Sequence, residues 1–247
     1  NTGGTDTASI TIIVNDVTPS ISYGITSLTL EKGTAMTTQT PTSTGGTVVT
    51  YSISPSLPAG LALDTSTGAI SGTPTDITSS ASYTITATNT GGTDTASITI
   101  VVNDVAPSIT YSPSSFTLTK GTAMTTTTPA NSGGTITSWS VTPSLPSGLS
   151  LDTSTGAVSG TPSAITSSGT YTVTATNTGG SDTATLTIVV NDIAPSSLSY
   201  SPSTFTLTKG TAMTTTTPTV SGGTITSWSV SPTLPAGLSL DSSTGAI

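Results

Sequence analysis

The 247-residue chain contains no cysteine, no histidine and no arginine. Without cysteine no disulfide can constrain the unfolded chain, so any domain must be held by apolar burial alone. The other absences remove imidazole bases, thiolate nucleophiles and the bidentate anion clamp together, which leaves catalysis to carboxylates. Cations are scarce as well: Lys32, Lys120 and Lys209 stand against eleven acidic residues, for a net charge of −8. Such a chain cannot neutralise a run of phosphates or hold to an anionic bilayer, which excludes nucleic acid and acidic membrane as partners. The strong helix formers Glu, Lys, Arg and Gln are almost missing. Apolar runs such as Ile98-Thr-Ile-Val-Val102 stop after a few residues, short of the roughly 20 that cross a bilayer as a helix. No direct membrane insertion follows from this chain, and no cationic start precedes an apolar segment.

What is present is threonine, serine and glycine, with 32% hydrophobic residues, 6% charged and a mean hydropathy of +0.17. Thr, Val and Ile suit a pleated, half-buried surface, so the composition predicts an all-β fold. The stretch Asn1-Thr-Gly-Gly-Thr-Asp-Thr-Ala-Ser-Ile returns at Asn89 and, with small edits, at Asn177, a period of 88 residues. That exceeds solenoid units of about 20 to 50 residues and matches a small self-sufficient domain. Aligning on Asp16, Asp104 and Asp192 gives whole repeats at 17–104 and 105–192. Residues 1–16 read as the C-terminal strand of a preceding repeat, and 193–247 as the N-terminal part of a further one. The proline after each Asn-Asp pair marks a short, stiff linker.

Within the middle repeat Phe116, Leu118, Trp139, Val141, Tyr171, Val173, Ala175, Leu186, Ile188 and Val190 alternate with threonines. Period two with one wet face is the signature of strands, and these ten form the expected inward set. Asn177-Thr-Gly-Gly180 reads as a hairpin turn, and Asp152-Thr-Ser-Thr-Gly156 as a second turn in which the Asp side chain bonds nearby amides. About seven short strands in each period predict a two-sheet sandwich.

The run Gly169-Thr-Tyr171-Thr-Val173-Thr-Ala175-Thr-Asn177 resembles strand F of immunoglobulin domains, with Tyr171 as the tyrosine-corner residue and Val173 where the second Cys stands. Trp139 and Trp228 occupy the strand-C tryptophan position, and Tyr51 replaces it in the first repeat. Leu145-Pro-Ser-Gly-Leu149-Ser-Leu-Asp152-Thr-Ser-Thr-Gly156-Ala-Val-Ser-Gly160-Thr-Pro162, which recurs from Leu57 and from Leu234, resembles the putative-Ig or dystroglycan-type cadherin-like repeats of large prokaryotic surface proteins. The resemblance implies tandem Ig-like β-sandwiches displayed at a cell surface, with adhesion or spacing as their role.

Most carboxylates repeat with the period, at Asp6, Asp94 and Asp182, at Asp16, Asp104 and Asp192, and at Asp64, Asp152 and Asp241. Only Glu31 and Asp76 are unique, and a glycosidase would need both to flank one sugar bond. No enzyme is expected, and no catalytic or cofactor-binding residue is assigned. Calcium is the one candidate cofactor. Asp104 and Asp192 lie at the junctions, yet a calcium site takes six to eight oxygens and usually several carboxylates. Tyr111 and Tyr200 are the only candidates for stacking on a surface glycan. Lys120 and Asn191 could form an internal isopeptide crosslink if a buried acid lay beside them. The Thr125-Thr-Thr-Thr-Pro129 segment could accept O-linked sugars.

Repetition without a unique site makes the expected function structural: an extracellular stalk, spacer or fibre component of a prokaryotic surface protein. Its partners would be its own neighbouring repeats. An adhesin or carbohydrate-binding array, or a self-assembling filament of copies of the chain, are the alternatives. One strand length of about 30 to 40 Å per repeat would give a rod roughly 100 Å long.

Overall fold

The computed structural model describes residues 1–247, and every regular element is a strand. The chain forms two compact units. One comprises Asn1–Ser108 with Ser132–Ile136 and Thr176–Asp182, the other Ile109–Asn131, Thr137–Ala175 and Thr183–Ile247.

The first module carries β1 (Pro19–Tyr23), β2 (Ser27–Glu31), β3 (Pro41–Gly45), β4 (Thr50–Ser54), β5 (Leu61–Leu63), β6 (Ile70–Gly72), β7 (Thr78–Asn89) and β8 (Gly92–Asn103). One sheet has the order β2-β8-β7-β4. The opposing layer consists of the pairs β1-β3 and β5-β6, tied by reciprocal backbone bonds between Gln39 and Ile70. The hairpin of the two twelve-residue strands β7 and β8 forms because the alternation runs without a break from Ala81 to Val102 on either side of the turn, after a register shift between Thr78 and Ala81: Tyr83, Ile85, Ala87, Ile98, Ile100 and Val102 point inward and are at most 4% exposed. Threonines and serines face out opposite one another, as in Thr84 with Ser97 and Thr86 with Thr95. Asn89 pairs with Gly92 across a two-residue loop, and its side-chain Oδ1 accepts the N–H groups of Gly91 and Gly92. Ile21 and Ile70 close the core from the facing layer, and Tyr51 on β4 extends it beside Ala87 in the same sheet.

The second module repeats this plan with β9 (Ile109–Thr110), β10 (Ser115–Thr119), β11 (Ala130–Asn131), β12 (Ser138–Thr142), β13 (Leu149–Leu151), β14 (Val158–Gly160), β15 (Thr166–Asn177) and β16 (Gly180–Asn191). Its four-stranded sheet has the order β10-β16-β15-β12. Seven of the ten residues expected to face inward are buried; Phe116, Leu118 and Val141 are half-buried, because they sit on the edge strands β10 and β12. The periodicity left out Met124 and Val158, which are also buried. Both lie outside the long alternating runs.

Residues 193–247 form the short pair β17 (Ser196–Ser199) and β18 (Thr219–Ser221). Phe205, Leu207 and Val230 stay 36–46% exposed, and no strand forms around them. Residues 4–18 likewise carry no regular structure, with Ile10, Ile12 and Val14 79–88% exposed. Their counterparts Ile98, Ile100 and Val102 are buried. The difference is pairing: a strand needs neighbours for its backbone groups and a facing layer for its side chains.

The strand-C aromatic explains one glycine. Gly156 has φ +73°, and a Cβ there would lie 2.8 Å from the Trp139 ring; Gly68 and Tyr51 repeat the contact. Left-handed backbone and direct aromatic contact both favour glycine. Gly156→Ala is expected to destabilise the second module by about 2 to 4 kcal/mol, combining left-handed strain with overpacking. Hydrogen exchange in β15 and β16 of the full chain reads this directly, and unchanged protection would refute it.

Candidate functional site: the linker clamp and the Asp turn

Two constellations recur from module to module. In the first, the linker is held by the module that follows it. Asp16 N–H donates to Thr90 Oγ1 (3.0 Å), Asp16 Oδ2 accepts Thr47 N–H (3.2 Å), and Asn89 Nδ2 donates to the Val17 carbonyl (2.7 Å). The same bonds return 88 residues later: Asp104 N–H to Thr178 Oγ1 (3.0 Å), Thr135 N–H to Asp104 Oδ2 (2.9 Å), and Asn177 Nδ2 to the Val105 carbonyl (2.7 Å). At Asp192 the carboxylate accepts N–H from Thr224 (3.0 Å) and Ile193 (2.9 Å). The loops reach the linker because they are glycine. A Cβ on Gly46 would stand 1.9 Å from the Val17 oxygen, and one on Gly91 2.0 Å from the Asp16 oxygen; Gly134 and Gly179 meet Val105 and Asp104 in the same way. β8 ends at Asn103, and the next residue, Asp104, donates its N–H to Thr178 Oγ1.

In the second constellation, Asp64 Oδ1 accepts the N–H groups of Ser66 and Thr67, while Asp64 N–H bonds the Ala69 carbonyl. Asp152 and Asp241 build the same turn. Each turn is anchored from the end of the first strand or the residue just after it, since Tyr23, Tyr111 and Tyr200 donate their hydroxyls to the carbonyls of Gly68, Gly156 and Gly245. Tyr111 is buried at 7% exposure, so its ring has no open face on which a sugar could stack. Tyr200 is half-buried.

Asp104 and Asp192 each present a lone carboxylate whose two oxygens already take backbone N–H groups. No three acidic side chains gather there or elsewhere. Glu31 and Asp76 are exposed and accept hydroxyls from Thr34 and Thr75. The side chain of Lys120 is exposed, and the bond it makes with Asn191 runs through its backbone N–H. The hollow of about 610 Å³ beside Phe205 and Leu238 is lined by no carboxylate.

The sequence singled out the linker aspartates and the Asn-Thr-Gly-Gly turn separately. It missed that Asn89 and Thr90 grip the linker, and that Asp94 reaches across to the Ile21 amide (2.7 Å). The only signal was their common 88-residue spacing, which shows recurrence without showing what faces what.

This architecture defines a tandem array of Ig-like β-sandwich modules. The chain belongs to the family described as "Putative Ig domain", which matches residues 18–103, 106–191 and 194–247. It is 34% identical over 209 residues to a "Serine-rich adhesin for platelets" of Staphylococcus aureus, a match covering 79% of this chain and 8% of the adhesin. The counterpart from strain MRSA252 is 34% identical over 209 residues and is covered to 14%. The chain thus spans less than a sixth of these relatives. Among solved structures it is similar to the titin domains z1z2 in complex with telethonin (19% identity, 72% of this chain and 98% of that one, TM-score 0.38). It is also similar to human protocadherin-24 EC1-2 (16% identity, 72% and 99%, TM-score 0.34).

The turn carboxylates set the response to acid. Backbone N–H bonds from residues 66 and 67, 154 and 155, and 243 and 244 hold Asp64, Asp152 and Asp241 below their ordinary value of 3.8. Amides of Thr224 and Ile193, with Lys120 nearby, do the same for Asp192. A lowered folded pKa gives stability that is present above the unfolded value and lost as pH falls through the folded one. Burial pushes the Tyr23 and Tyr111 hydroxyls the other way, from 10.0 up to about 12. Their contribution is complete below pH 10 and disappears toward pH 12. Thermal melts across pH should therefore show a plateau that falls at both ends. Asp152→Asn should flatten the acid limb and Tyr111→Phe the alkaline limb; limbs unaltered by these changes would contradict the assignment.

Proposed function

We propose that this chain is a segment of an extracellular structural array, a stalk or spacer of a prokaryotic surface protein. The observation that carries the reading is the path of the chain through a module. It arrives at Val17 beside the β7–β8 turn and leaves after Asn103 at the far end of β8. Twelve extended residues separate those points by roughly 35 to 40 Å. The entry and exit of the module thus lie at opposite ends of its long hairpin. The recurrence of the linker clamp and the Asp turn from module to module fits the same role.

A second reading, an adhesive array, is favoured by the similarity to the staphylococcal adhesin, where weak sites on successive modules would gain by avidity. The two readings separate experimentally. With the chain placed between a cell anchor and a terminal reporter, deletion of residues 105–192 should shorten the reach by about 35 Å and leave the reporter active. Saturable binding of the unfused chain to platelets or arrayed glycans would favour adhesion; an unchanged reach would refute the spacer.

A further inference from the structure

We propose that the hollow at the Tyr51 hydroxyl in the first module is a binding site for a neutral saccharide unit. The inference rests on the adhesive reading, to which it gives a site and a ligand class. The hollow has a volume of about 360 Å³ and is lined by residues 43–48 together with Tyr51 and Ser66. It lies along an open edge of β3. β1 covers the other edge, β6 meets β3 only through the bridge between Gln39 and Ile70, and beyond that bridge no strand lies beside Ser43 on this side.

Tyr51 is 5% exposed, and its ring packs so closely on Gly68 that a Cβ there would stand 2.8 Å from it. Burial first, and Tyr51 second, raise the Tyr23 hydroxyl to about 12, so the two phenol groups lie close and Tyr51 ends on the β1–β3 side of the core. Tyr23 donates to the Gly68 carbonyl. The Tyr51 hydroxyl bonds no group of the chain, and since no buried side-chain oxygen lacks a partner, it opens to solvent in the hollow that the ring lines. A tyrosine hydroxyl set this deep ordinarily has a partner. Trp139 and Trp228 take the place of Tyr51 in the other repeats. The first module alone combines the smaller ring with a group that both donates and accepts.

The rim is in place before any ligand arrives. Thr47 N–H donates to the Asp16 carboxylate (3.2 Å) and Ser66 N–H to that of Asp64 (2.8 Å), so the linker clamp and the Asp turn each fix one side. Ser43, Thr44, Thr47 and Ser66 are exposed there. No charged side chain lines the hollow. An ionic ligand would therefore lose hydration without gaining a counter-charge, and an apolar one would strand the hydroxyls. A sugar ring presents neutral donors and acceptors on several sides, and the volume falls at the small end of ligand pockets, which start at about 300 Å³. The bond from Gly46 N–H to the Thr18 carbonyl sets the β1–β3 alternation, so Ser43 turns its N–H and C=O away from β1. A peptide strand needs a longer edge than this, because Gln39 is already bridged to Ile70 and Pro41 has no N–H.

Two substitutions test the site: Tyr51→Phe removes only the hydroxyl, and Tyr51→Trp installs the residue of the sibling modules. The full chain would be titrated with the methyl glycosides of glucose, galactose, mannose and N-acetylglucosamine, with amide NMR signals as the readout. At least one of the four should shift the amides of Ser43, Thr44, Thr47 and Ser66 saturably. Tyr51→Phe should weaken that binding about fivefold, as expected for one hydrogen bond. Tyr51→Trp should abolish it, with the melting temperatures of both variants retained as the check on folding. No saturable shift at these amides with any of the four, or a shift that survives Tyr51→Trp, overturns the proposal. Glycoside binding mapped to other residues overturns it as well, while leaving the adhesive reading intact. Shifts given by an extended polyserine peptide and by none of the glycosides would assign the open edge of β3 to strand addition instead.

Discussion

The central hairpin is the constraint on which each module depends. In a chain with 6% charged residues and no disulfide, stability must come from apolar surface removed from water. The largest continuous share of it lies on β7 and β8. Ile85, Ala87 and Ile100 are fully buried there, β2 and β4 flank the hairpin, and β1 is bound to it through Asp94 and Ile21.

The hairpin also explains why a chain of such simple composition adopts one register. Shifting β7 by a single residue would turn Tyr83, Ile85 and Ala87 outward and bring threonines into the core. Threonine is tolerated on the wet face because it combines β-branching with a hydroxyl that water can satisfy. It is expensive on the dry one. Thr127 shows the exception: it is buried at 7% exposure, and its backbone N–H and carbonyl both pair with Val158.

The sandwich, the turn joining its long strands, the Asp turn and the aromatic on strand C were legible in the sequence, because each follows from local spacing; the alternating runs at 171–175 and 185–190 located the long strands but not their full extent, Thr166–Asn177 and Gly180–Asn191. Trp139 against Gly156 was half legible: both residues stood out, but their contact joins β12 to a turn beyond β13. The clamp was not legible. Asp16 lies 74 residues from Thr90 and 31 from Thr47, and no periodicity within a strand encodes a partner at such a distance. Tyr111 was legible only as an aromatic beside a linker; its hydroxyl donates to the Gly156 carbonyl, 45 residues away.

What the modules share bears on function more than what distinguishes them. A catalytic or specific binding site would concentrate unusual groups in one place and one copy, since selectivity needs convergent polar atoms around a single ligand. In the clamp and the turns the polar atoms converge on the chain's own backbone: Asp16 and Asp104 on loop amides, Asn89 and Asn177 on linker carbonyls, Asp64, Asp152 and Asp241 on turn amides. These side chains hold the linker and the turns in place. The same bonds recur in successive modules, so what the copies have in common is the means by which linkers and turns are held.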